Sequence, residues 1–170
     1  MKYIPPRTDI KARGLYCFFF MVAVIGLLIP YGGIVTTIIQ CTAFIFLTAA
    51  VFLFIKYEIT TFTYILTERN GAFYFYIDKS SGKRGSYVCY FPLSDAVYFE
   101  KLEKGYNTSL RKEYKNIGFY KYNKNIFTGE KYVIVFENGS RYDAVIFEPG
   151  EELASIIKNE MSKNKECTED

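Results

Sequence analysis

The 170-residue sequence contains no histidine and no tryptophan. Without histidine, Ser-His-Asp and Cys-His catalysis, His-ligated metal sites and histidine-based pH switching are excluded. The four cysteines, Cys17, Cys41, Cys89 and Cys167, form no C-x-x-C pair. They could build only an all-cysteine zinc site, and Cys17 and Cys41 lie inside apolar runs, so they read as unrelated thiols. The last four residues, Cys167-Thr168-Glu169-Asp170, lack the aliphatic pair of a prenylation box. Also missing are a Walker A loop, G-x-G-x-x-G, H-E-x-x-H and a G-x-S-x-G elbow. The sequence thus gives no expectation of a cofactor, a metal or a catalytic residue.

An excess of one charge is missing as well. The net charge is +3, from 21 basic and 18 acidic residues. The first fourteen residues hold four bases (Lys2, Arg7, Lys11, Arg13) and one acid (Asp9). From Lys56 onward, 17 bases meet 17 acids, a balance that argues against a nucleic-acid partner.

Apolar residues are what the chain has in quantity: 50% hydrophobic against 23% charged, with 16 Tyr and 16 Phe. That composition excludes disorder. Leu15 to Ile29 is free of charge, and Ile34 to Ile55 is a second such run of 22 residues. At about 1.5 Å per helical residue the second reaches roughly 33 Å, a bilayer core. Pro30-Tyr31-Gly32-Gly33 between them is turn chemistry. The pattern predicts a transmembrane hairpin with helices at 15–31 and 34–55. A cleaved signal peptide is the competing reading, but no small-x-small cleavage site is present and a longer apolar run follows at once.

The positive-inside rule orients this hairpin. Bases precede the first helix, Lys56 follows the second, and the turn is uncharged. Both termini are therefore expected in the cytoplasm of a multi-pass cell-membrane protein, with Tyr16, Tyr31 and Tyr57 at the interfaces. Within the second run Thr36, Thr37, Gln40, Thr42 and Thr48 are polar. Thr36, Thr37 and Gln40 would serve as an intramembrane contact to a protein partner or a second copy. Alternatively, the hydroxyls bond back to their own helix and Gln40 bonds across the hairpin. Neither run holds an Asp, Glu, Lys, Arg or His side chain, which argues against a transporter or channel.

After Tyr57 the apolar period becomes two. Strands are predicted at Thr60–Glu68, Ala72–Asp78, Ser86–Phe91, Ala96–Leu102, Tyr114–Tyr122 (interrupted by Gly118), Lys131–Glu137 and Arg141–Glu148. Asn70-Gly71 and Asn138-Gly139 are hairpin turns. Lys79–Gly85 and Glu103–Glu113 read as polar loops. Past Pro149-Gly150, an amphipathic helix is predicted over 151–163, with Leu153, Ile156, Ile157 and Met161 on one face. A polar tail occupies 164–170. The expected fold is an antiparallel β-barrel or sandwich of about seven strands over 56–163, capped by that helix.

Two N-terminal spans followed by seven strands and a helix resemble the bacterial membrane-anchored pleckstrin-homology-like (PH-like) proteins. The resemblance is carried by Tyr64-Ile65-Leu66-Thr67-Glu68, Phe91-Pro92-Leu93-Ser94-Asp95-Ala96, Asn138-Gly139 and Phe147-Glu148-Pro149-Gly150-Glu151-Glu152-Leu153. It implies two near-orthogonal antiparallel sheets capped by a C-terminal helix, and a binding or scaffolding module without catalysis.

Phosphoinositide-reading members carry a basic first hairpin loop. Here that loop is only Arg69-Asn70-Gly71, and the bases sit in the second loop, at Lys79, Lys83 and Arg84. These three would touch anionic headgroups, or else form an ordinary solvated hairpin loop. Lys104, Arg111 and Lys112 mark the longer loop as a second place for recognition. Two other functions stand beside the binding module. One is an accessory subunit of a larger membrane complex; the other is a small enzyme using carboxylates such as Asp95 or Glu100.

Overall fold

The computed structural model describes residues 1–6, 10–30, 32–82, 84–103, 105–125 and 129–166. Lys83, Lys104 and Cys167, singled out above, lie outside the described residues. The chain divides into a helical unit, largely within Arg7–Thr60, and a β unit that takes in Met1–Pro6 together with most of the chain from Thr61.

The helical unit is a pair, α1 (Ile10–Leu28) and α2 (Ile34–Phe54), extended by a π-helical turn at Ile55–Ile59. Both helices are long and apolar enough to cross a membrane. α1 starts five residues ahead of the uncharged run, and Pro30 ends it early by disfavouring helical geometry just before itself. The pair is small inside and bulky outside. Ala12, Ala23 and Gly26 of α1 and Gln40, Ala43 and Ala50 of α2 are buried. Phe18, Met21, Ile25, Leu28, Ile38, Ile45 and Phe52 are exposed. A Cβ at Gly26 would lie 2.8 Å from the Ala43 Cβ, so a glycine is what allows this approach. At the charged end Glu58 accepts from Arg13 Nε at 2.8 Å and from the Tyr16 hydroxyl at 2.9 Å.

The β unit has eight strands among the described residues, arranged in two sheets rather than the closed barrel allowed by the sequence reading. The first sheet runs β1 (Lys2–Tyr3), β2 (Thr60–Arg69), β3 (Ala72–Ser81), β4 (Arg84–Pro92), in that order. β1 lies in what the sequence predicts as a separate basic N-terminus; it pairs antiparallel to β2, Lys2 with Ile65 and Tyr3 with Tyr64. The β2–β3 turn uses Asn70 (φ 54°) and Gly71 (φ 77°), the left-handed pair that matches strand twist. The polar loop expected at 79–85 is mostly strand. Ser80 pairs with Gly85 and Ser81 with Arg84, closed by Gly82 at φ 66°.

The second sheet has β5 (Ala96–Lys101), β6 (Ile117–Lys121), β7 (Tyr132–Asn138) and β8 (Arg141–Phe147) in the order β5-β7-β8-β6. It is mixed, not purely antiparallel, because β6 runs parallel to β8. A parallel strand needs a crossover. The crossover is α3 (Tyr106–Glu113), where the sequence reading expects a polar loop. Tyr106, Leu110 and Tyr114 recur every four residues, and they pack with Val133, Val135, Ala144 and Ile146 on the outer face of the sheet.

Between the sheets lies the main core: Phe62, Tyr64, Leu66, Phe75, Ile77 and Phe91 against Ile134, Phe136, Val145 and Phe147. Phe91 and Phe136 stack face to face, with ring centroids 4.0 Å apart. α4 (Glu151–Glu166) sends Leu153, Ile157 and Met161 into the same core. β7 and β8 are thus covered on both faces, which is why residues 133–136 and 144–147 are apolar without a break instead of alternating as the sequence reading expects. Tyr64 joins the sheets by hydrogen bonds: its hydroxyl donates to the Tyr122 carbonyl at 2.7 Å and accepts from the Glu148 N–H at 3.3 Å.

Candidate functional site

The described polar candidates of the sequence reading are not gathered into one place. Lys79 is an exposed strand residue of β3 opposite Ser86, and Arg84 opens β4. Arg111 and Lys112 end α3, where Arg111 lies over the Phe119 ring at 5.5 Å. In the helical unit the Thr36 and Thr37 hydroxyls donate to the Gly33 carbonyl, at 2.8 and 3.2 Å. Gln40 Nε2 donates to the Ile29 carbonyl at 2.9 Å, across the hairpin. Asp95 accepts from its neighbour Ser94, and Glu100 from Tyr98. Glu100 lines a charged groove with Glu103, Glu151 and Lys158; Asp95 does not line it. Among the described residues no three Cys, Asp or Glu side chains form a group able to hold a metal.

The residues that do converge have no functional role in the sequence reading, which takes Cys89 as an unrelated thiol and Asn138 as part of a hairpin turn. β4 is the last strand of the first sheet and β6 the last strand of the second. Val88, Cys89 and Tyr90 of β4 and Tyr120 and Tyr122 line a cleft of about 260 Å³ with Asn138, Arg141 and Asp143. The Tyr122 hydroxyl donates to the Val88 carbonyl at 3.2 Å, tying the first sheet to the second beside the cleft.

Asp143 is the unusual member. It is an acid on an apolar strand, only 4% exposed. One carboxylate oxygen, Oδ2, accepts from Asn138 Nδ2 at 2.8 Å and lies 3.5 Å from the Arg141 guanidinium. The other, Oδ1, is buried with no hydrogen-bond partner. A buried charged oxygen left in this state costs several kcal/mol unless something answers it.

Gly118 faces that oxygen. It is paired in register with Asp143, and a Cβ there would meet Asp143 Oδ1 at 3.0 Å and the Tyr120 ring at 3.2 Å. Gly118 is not among the glycines with positive φ, so the backbone does not demand glycine here. What the missing Cβ does is let the β6 backbone pack close beside Oδ1. The interruption of a strand pattern by Gly118 and the lone acid in Arg141–Phe147 are the two sequence signals of the site.

The thiol of Cys89 is pushed up to about 12, first by burial and then by the Asp143 charge. Burial also raises the Tyr122 phenol, with Cys89, Tyr120 and Asp143 adding to it. These groups stay protonated at neutral pH. The cleft is thus one carboxylate among neutral hydroxyl, amide and thiol groups, with Arg141 nearby. Such a set can hold a hydrogen-bond donor or a cation.

No protein-family model, curated protein or solved structure matches the chain.

Proposed function

We propose that the chain is an integral membrane protein that crosses the bilayer twice and holds a PH-like binding or scaffolding module at the cytoplasmic surface for a protein partner. The observation that carries this reading is the inside-out helix pair. Small residues and one amide face the partner helix, while Phe, Ile, Leu and Met face outward. Only 11% and 17% of the most apolar windows of the two helices are buried. Water would penalise that exposure, whereas lipid is its natural solvent.

Pairing of β1 with β2 supports an even number of crossings, since the segments before α1 and after α2 then share one sheet. It also argues against a cleaved leader, because cleavage behind α1 would remove β1. Two sheets and a C-terminal helix in one core support the PH-like reading; the parallel β6–β8 pair and the α3 crossover are departures from it.

The test is extraction and labelling of the intact protein in cells. Alkaline carbonate should leave it in the membrane pellet. A membrane-impermeant maleimide should reach Gly32→Cys from outside, and Ser81→Cys only after permeabilisation. Extraction into the supernatant, or the reverse labelling pattern, overturns the proposal.

A further inference from the structure

We infer that the β4–β6 cleft receives a single arginine or lysine side chain from an extended segment of a partner protein. This deepens the binding-module reading and rests on it. Three observations point the same way. The first is Asp143 Oδ1, buried and without a partner while its twin oxygen is occupied. A guanidinium or ammonium makes a charge-assisted bond there, roughly twice as strong as a neutral one. Arg141 does not fill this role: it stands at Oδ2, at 3.5 Å, with its side chain 56% exposed.

The second is the wall. Tyr90, Tyr120 and Tyr122 line the cleft, and tyrosine faces attract cations by their quadrupole. The third is the size and setting. About 260 Å³ lies below the roughly 300–1,000 Å³ usual for cofactor and drug-sized ligands, and suits one side chain. The cleft is bordered by β4 and β6, each the terminal strand of its sheet. Terminal strands carry backbone groups that an extended peptide can pair with.

The test uses the full chain in detergent micelles and calorimetric titration with two short blocked peptides. Both have valine and threonine flanks; one has a central arginine and the other citrulline, nearly isosteric but neutral. The arginine peptide should bind at least tenfold tighter. Asp143→Asn, which removes the charge, should abolish that advantage, with a melting curve to show that the variant is folded. Equal affinities for the two peptides, no binding of either, or an undiminished advantage in a folded variant overturns the inference. The peptide comparison in the parent protein needs no variant to fold. It also needs no bilayer, so it fails independently of the labelling test above.

Discussion

Tyr64→Phe is the sharpest probe of what holds the two sheets together. The Tyr64 ring is fully buried, edge-on to Phe147 at 5.3 Å and stacked near Tyr3 at 6.4 Å. Phenylalanine keeps that packing and deletes only the hydroxyl. Two hydrogen bonds go with it, the one to the Tyr122 carbonyl and the one from the buried Glu148 N–H. Losing a partner inside a protein costs about 1–3 kcal/mol per buried group, partly offset by the lower desolvation of the phenyl ring. A net loss of about 2 kcal/mol follows. For a unit near a hundred residues that is about 4 °C of melting temperature per kcal/mol, hence roughly 8 °C. Near-UV circular dichroism of the tyrosines in micelles follows the β unit through its transition. A fall of less than about 2 °C would show that Tyr64 acts through its ring alone, and that the hydroxyl bridge contributes nothing.

Three further outcomes follow from the same geometry. Cys89, pushed up to about 12 by burial and by Asp143, should alkylate about a hundred- to a thousandfold more slowly than in the unfolded chain at mildly alkaline pH, read peptide by peptide by mass spectrometry; equal rates would refute the burial argument. The stability of the β unit should fall as pH rises above about 9. There the unfolded state ionises its thiol, and later its Tyr64 phenol, while both stay protonated when folded; a flat urea midpoint from about pH 8 to about pH 11 would count against this. Gly150→Val should loosen β1, because a Cβ at Gly150 would lie 2.6 Å from the Tyr3 ring. Hydrogen exchange at the Leu66 amide, bonded to the Met1 carbonyl at 2.9 Å, reads this out, and unchanged protection would dismiss it.

Much of the fold is legible in the residues themselves, because it is local. Uncharged runs of helical length give the two helices, and Pro30 with Gly32 and Gly33 ends one and starts the next. Asn70-Gly71 closes a hairpin through its own backbone freedom. Alternation gives β2 and β3. The apolar stripe of Leu153, Ile157 and Met161 gives α4. Each of these depends on neighbours within a few positions, so periodicity and turn chemistry suffice.

What the tertiary structure decided is non-local. α3 reads as a loop since its composition is polar; it is a helix because Leu110 has the outer face of β7 and β8 to cover. β1 is two residues long and has no signal of its own until β2 stands beside it. The cleft is the clearest case. Cys89, Gly118 and Asp143 are far apart in sequence, and the glycine and the lone acid each mark a strand without saying that they meet. Only when β6 runs parallel to β8 does Gly118 come opposite Asp143. Only the stacking of two unclosed sheets brings Cys89 and Tyr90 across to them. Periodicity reports which face a side chain takes, and it carries no information about which distant strand will stand opposite. That choice is made by packing, which leaves one carboxylate oxygen buried in the gap between the sheets.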